Sequence, residues 1–121
     1  MKNYKANWEK YMQVWAETDA KKLAASLSVI LDKKVTYTDP ITEQSLVGHE
    51  AIQAYITQTQ QMVPGVNLQL VAYEQHHDVS LAQWNMCDGQ GNVVAPGRSF
   101  ARYTQDGKIQ ETVAFFALPK A

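Results

Sequence analysis

Val35-Thr-Tyr-Thr-Asp-Pro40, followed by a short loop and Gly48-His-Glu-Ala-Ile52, decides how the rest of the chain is read. Residues 35–38 are β-branched or aromatic, which predicts a strand. Strand side chains alternate between faces, so Val35, Tyr37 and Asp39 share one face and Thr36 and Thr38 the other. The first row is the apolar one and is expected to face the interior, which aims the Asp39 carboxylate inward. Pro40 ends the strand because it has no N–H for the ladder. Two roles for Asp39 stay open at this point. A carboxylate closing an inward row is costly to ionise and is a candidate for chemistry. Alternatively, it accepts backbone N–H groups in the Asp-Pro turn.

Upstream, Tyr4, Trp8, Tyr11, Met12 and Trp15 recur at the spacing of one helical face, with Lys2, Lys5, Glu9, Lys10 and Gln13 on the remainder. This predicts an amphipathic helix ending near Thr18-Asp19. Asp19 is then the expected N-cap of a second helix that buries Leu23, Leu27 and Ile30. Downstream, Gly48 opens a third helix with Glu50 at its positive end. Ile52, Tyr55, Ile56, Thr59 and Met62 form its stripe, and Pro64-Gly65 stops it.

Beyond that point the period becomes that of strands. Val66–His77 and Val79–Cys87 are expected strands, and Asp88–Asn92 is the turn after them. Val93–Gln105 follows with a bend or bulge at Pro96-Gly97, then the Asp106-Gly107 hairpin and a closing strand from Lys108 to Leu118. Helices first and hairpin-linked strands afterwards make an α+β domain with a mainly antiparallel sheet. A curved sheet over helices can leave an apolar pocket between aromatic residues from both layers, although each aromatic is read first as plain core.

The chain of 121 residues is long enough for one self-sufficient domain, 1–121, and its 45% hydrophobic and 19% charged content is that of a globular protein. Eleven basic and twelve acidic residues leave a net charge of −1. No cluster is denser than Lys21-Lys22 or Lys33-Lys34, so neither nucleic acid nor an anionic membrane is an expected partner. The longest apolar run, Val113–Leu118, is far too short to span a bilayer. The N-terminal residues lack an apolar signal core, and Cys87 stands alone, so a reducing, cytoplasmic location and a buried inert thiol are expected.

Other polar residues carry weaker signals. His76 and His77 are neighbours on a strand, so in regular geometry they point apart and cannot chelate one metal. They are expected at a strand end on the surface, with an inward ring as a second acid/base as the alternative. Asp78 begins a turn, His49 is expected at the surface, and Arg98 and Arg102 share an outward sheet face. Gly89-Gln-Gly91 is a turn, because no helix follows to make a phosphate loop.

Taken together, this order resembles the nuclear transport factor 2-like superfamily, within it the SnoaL-like and ketosteroid-isomerase-like members. The resemblance rests on the aromatic helix ending in Thr18-Asp19, Leu23 and Leu27, Tyr37-Thr-Asp-Pro-Ile41, and Gly48 leading into Ile52 and Tyr55. Pro64-Gly65, Gly97-Arg-Ser-Phe100 and Asp106-Gly-Lys-Ile109 complete it. It implies a cone, a strongly bent sheet enclosing a cavity closed by helices, commonly a homodimer through the sheet. It also implies chemistry without metal or cofactor on a small hydrophobic molecule. In ketosteroid isomerases an Asp base works beside a Tyr and a protonated Asp that hold the enolate oxygen, which is the type case for such a site. Asp39 matches the base and Tyr11 the oxyanion tyrosine. The protonated Asp has no counterpart, its place falling to Arg98 or Ser99 depending on alignment. In SnoaL-like cyclases an inward acidic residue serves an aldol ring closure, a part open to Asp39. Trp15, Tyr37, Tyr55, Trp84, Arg98, Ser99 and Phe116 are the expected ligand-binding residues. The fold also hosts non-enzymatic binders and dimerisation domains with filled cores, so both remain alternatives.

Overall fold

Three helices and six strands account for most of residues 3–117, the part that this computed structural model describes. α1 (Tyr4–Val14) and α2 (Ala20–Ile30) come first, then β1 (Leu31–Thr38), β2 (Leu46–Val47) and α3 (His49–Met62). The remainder is β3 (Asn67–His76), β4 (Val79–Cys87), β5 (Val93–Tyr103) and β6 (Ile109–Phe115). The strands form one sheet in the order β2-β1-β6-β5-β4-β3. Only β1 and β6 pair in parallel. The sheet curls around the helices as an α+β cone. Lys2, Leu118 and the terminal Pro119-Lys-Ala121 lie outside the described residues.

The expected inward row is observed: Val35, Tyr37 and Asp39 are all buried. Asp19 caps α2, its Oδ1 accepting the backbone N–H groups of Lys21 and Lys22 at 2.9 and 3.1 Å. Leu23, Leu27 and Ile30 are buried as expected. With Trp8, Val35, Ile52, Ile56 and Ile109 they make a continuous core between helices and sheet. Burying each such side chain contributes about 1.5–3 kcal/mol.

Several boundaries differ from the sequence-based expectation, each for a long-range reason. α1 ends at Val14, well before Thr18-Asp19. The Gln60 amide on α3 donates to the carbonyls of Trp15 and Glu17 at 3.1 and 2.7 Å, which satisfies the helix end and lets the chain turn away. β1 begins at Leu31 directly after α2, and its irregular start is held by His49. That side chain is half-buried rather than at the surface. Its Nε2 faces the carbonyls of Leu31 and Asp32, both at 3.1 Å, so this nitrogen must carry the proton. Part of the expected loop before Gly48 is the short strand β2, paired with Thr36 and Tyr37. Met62 closes the α3 stripe but is 72% exposed.

Bulges set which side chains face inward. Val71 is the extra residue where β3 pairs with β4, so Leu68 and Leu70 before it and Tyr73 after it all pack on the core. Val94 plays the same part on β5, one residue before Ala95, while Pro96 and Gly97 keep regular register. Gly97 has a different purpose. It lies opposite Trp84, and a Cβ there would run into the indole ring.

Candidate functional site

β1 turns Tyr37 and Asp39 to the concave side of the sheet. α3 lays Tyr55 against them, and α1 with its C-cap supplies Trp8, Tyr11 and Trp15. Together with Trp84, Met86, Ser99 and Phe116 from the sheet side they wall a chamber of about 360 Å³. Its apolar rim includes Ile41, Met62 and Val94, which are at least half exposed.

The turn-closing role left open for Asp39 is observed on one oxygen, while the other faces the chamber side and is bonded by phenols. Oδ1 accepts the backbone N–H groups of Ile41 and Thr42 at 2.8 and 3.0 Å, closing the Asp-Pro turn. Oδ2 accepts the phenol O–H groups of Tyr37 and Tyr55 at 2.7 and 2.6 Å. Four donors on two oxygens match the ionised carboxylate, which accepts and does not donate. Burial pushes the Tyr37 hydroxyl well above the ordinary phenol range, and the nearby Tyr11 and Asp39 add to the shift. Tyr55 is raised by burial first and then by its bond to Asp39. Both phenols are neutral donors at physiological pH.

Tyr11 is the opposite case. The residue is 3% exposed, yet its hydroxyl has no hydrogen-bond partner among the described residues. Burial makes it a much weaker acid than an ordinary phenol; the Trp15 indole N–H, which stands near the oxygen without completing a well-formed hydrogen bond, opposes that shift, and the Asp39 charge adds to it. The indole N–H groups of Trp8 and Trp15 are likewise buried and unpartnered. Leaving such a donor unmet costs about 1–3 kcal/mol each. Three of the four unpartnered buried side-chain polar atoms among the described residues thus belong to side chains of α1 and its C-cap Trp15 that line this chamber. The fourth, Thr112 Oγ1, belongs to a residue outside its lining.

The structure therefore brings Tyr11, Trp15, Tyr37, Asp39, Tyr55, Trp84, Ser99 and Phe116 around one space. Arg98 does not join them. On β5 the inward residues are Ser99, Ala101 and Tyr103, so Arg98 points to the opposite face, where it is exposed. The position that sequence left between Arg98 and Ser99 goes, on the chamber side, to Ser99. Its hydroxyl accepts the Trp84 indole N–H at 2.9 Å. Trp8 was not among the expected site residues, although it stands in the aromatic stripe of α1.

The remaining candidates lie elsewhere. His76 and His77 are exposed at the β3–β4 turn. His77 adopts φ 51, which breaks regular strand geometry and brings the two Nδ1 atoms to 3.1 Å instead of pointing the rings apart. No group of three or more His, Cys, Asp or Glu side chains suited to a metal occurs among the described residues. Cys87 is buried. Arg102 forms exposed ion pairs with Asp78 and Glu111 at 3.4 and 3.8 Å, worth little at that exposure. An open depression of about 570 Å³ on the outer sheet face is lined by Gln83, Pro96, Arg98 and Phe115 among others. No helix among the described residues is long and apolar enough to cross a membrane.

Residues 8–112 match the family model of the SnoaL-like domain, and the chain belongs to that family. Solved structures agree on the fold. A protein from Agrobacterium tumefaciens, provisionally assigned as an isomerase of the SnoaL-like family, superposes with a TM-score of 0.85 at 22% identity, over 95% of this chain and 97% of its own. A Catenulispora acidiphila protein with a ketosteroid isomerase-like fold, in complex with trimethylamine, gives 0.74 at 16% identity, covering 93% and 85%. A Jannaschia protein provisionally assigned as a SnoaL-like polyketide cyclase gives 0.71 at 15% identity, covering 91% and 84%. At these identities the likeness shows the fold alone. No curated protein matches the chain in sequence.

Proposed function

We propose that the chamber binds a small hydrophobic carbonyl compound and moves a proton on it without a cofactor, as an isomerase or a polyketide-cyclase-like enzyme. The observation that carries this reading is the unpartnered hydroxyl of Tyr11 in a largely apolar chamber walled also by Asp39. A neutral phenol aimed at a carbonyl oxygen donates most strongly as negative charge develops there. Asp39 then takes a proton from the carbon beside the carbonyl, and the C–H electrons pass into the enolate held by Tyr11. Returning that proton to another carbon isomerises the compound, while attack of the enolate on a second carbonyl closes a ring.

Asp39 is not free to act as it stands. Oδ2 must release one phenol, and Tyr55, the less buried of the two, is the one placed to swing aside. The saturation of Asp39 also favours a second reading, a non-enzymatic binder in which the carboxylate only organises the wall. A melting-temperature screen with hydrophobic ketones, steroids and aromatic polyketides tests both, because ligands that bind the native state raise its melting temperature. Hits should weaken in Tyr11→Phe, and turnover of a hit should vanish in Asp39→Asn. Undiminished turnover in that variant would end the general-base proposal. Hits without turnover would leave the binder. Through its outward sheet face the chain is further proposed to pair as a homodimer, which sedimentation at micromolar concentration checks.

A further inference from the structure

The electrostatics of the chamber are one-sided. Of the twenty side chains lining it, seven are aromatic and one, Asp39, is a carboxylate, with no Lys, Arg or His among them. A buried carboxylate is ordinarily paired with a cation. Here its partners are two phenols and two backbone N–H groups, so its hydrogen-bonding capacity is filled while no cation among the described residues lining the chamber balances its charge. The rings beside it form one cluster: Tyr37 and Tyr55 lie 5.5 Å apart between centroids, and Trp15 lies 6.1 and 6.2 Å from them. Aromatic faces carry the negative side of the ring quadrupole and attract cations.

We propose that the chamber selects a hydrophobic ammonium compound with a quaternary nitrogen, its charged head against Asp39, Tyr37, Tyr55 and Trp15. This rests on the reading that the chamber is the ligand site and narrows the class of ligand. The degree of substitution follows from the acceptor count. A primary ammonium brings three N–H donors that need acceptors on leaving water. Asp39 has none to spare, so a primary head beside it must turn to the phenol oxygens of Tyr37 and Tyr55 or to more distant Gln58 and Thr59, whereas a quaternary head needs no acceptor. N-methyl groups suit such a wall because they spread the charge over apolar surface that packs on rings. The body of the ligand then lies toward Trp84, Met86 and Phe116. The unpartnered donors of Tyr11, Trp8 and Trp15 remain for an oxygen elsewhere on the same molecule.

A matched set of probes tests this on the unmodified protein by tryptophan fluorescence. Phenyltrimethylammonium and tert-butylbenzene share a shape and differ in charge, while benzylamine supplies a primary ammonium of similar size. The quaternary cation should bind about tenfold or more tightly than its neutral isostere. Benzylamine should bind more weakly than phenyltrimethylammonium. Asp39→Asn should remove most of the preference for charge. Tyr55→Phe keeps the ring but frees one acceptor on Oδ2, and should selectively tighten benzylamine. Equal or tighter binding of tert-butylbenzene would overturn the cation preference while leaving the chamber as a site for neutral ligands. Silence from all three probes would remove the chamber itself as a ligand site.

Discussion

Two tyrosines are buried almost equally between α1 and the sheet, Tyr11 at 3% and Tyr103 at 2% exposure, and the protein treats them in opposite ways. The Tyr103 hydroxyl lies 2.8 Å from Ser80 Oγ and 3.4 Å from the Tyr73 hydroxyl, and its ring stacks on Tyr4 with centroids 4.5 Å apart. Everything that side chain needs is supplied from within. Tyr11, two helical turns after Tyr4 on the same face, has ring neighbours in Trp8 and Trp15 but no partner for its oxygen, and it borders a cavity. One helix therefore spans a finished region and an unfinished one. The unfinished one contains the lone chamber carboxylate, which is the pattern expected where stability has been given up for binding.

Substitutions that hold the two regions side by side sharpen or break this contrast. The largest effect is common to both. Burial raises the phenols of Tyr11, Tyr37, Tyr55 and Tyr103 above the ordinary value. Groups raised in the folded state favour folding below the unfolded value and withdraw that support as pH climbs beyond it. The fold should therefore hold steady at neutral pH and be lost within about two pH units above 10, as followed by far-UV circular dichroism. Next in size, Tyr103→Ala empties the finished region and should cost about 3–5 kcal/mol in urea denaturation. Gly97→Ala pushes a Cβ into the Trp84 ring, with an expected loss of about 1–3 kcal/mol and a change in near-UV ellipticity. Tyr103→Phe removes only a satisfied hydroxyl and should cost about 1 kcal/mol.

The parts legible in the sequence are those with a local period or a local cap. Val35, Tyr37 and Asp39 declare their common face by alternation, and Asp19 declares its helix by position. The chamber aromatics follow from the same two patterns applied to α1 and β4. What stayed hidden depends on partners far along the chain. Asn7 donates to the carbonyls of Ile30 and Gly107 at 3.1 and 2.8 Å, and Gln60 ends a helix some 45 positions earlier. His49 supports β1 in the same way. None of these leaves a periodic trace. The choice between Arg98 and Ser99 was undecidable for a related reason: strand parity is absolute only once one residue is anchored, and the inward Ala101 and Tyr103 are the anchor. The split bonding of Asp39 was hidden too, since sequence offers a carboxylate but not its two oxygens separately.

The contrast between the two tyrosines reduces to one measurement, the urea denaturation of Tyr11→Phe beside the wild type. Removing a buried hydroxyl that has no partner relieves a desolvation cost, so the variant should be as stable as the wild type or up to about 1 kcal/mol more stable, with any bound ligand weakened. A loss of about 1 kcal/mol, equal to that expected for Tyr103→Phe, would mean that the hydroxyl is satisfied within the folded protein. The chamber would then be ordinary core with no claim to a function.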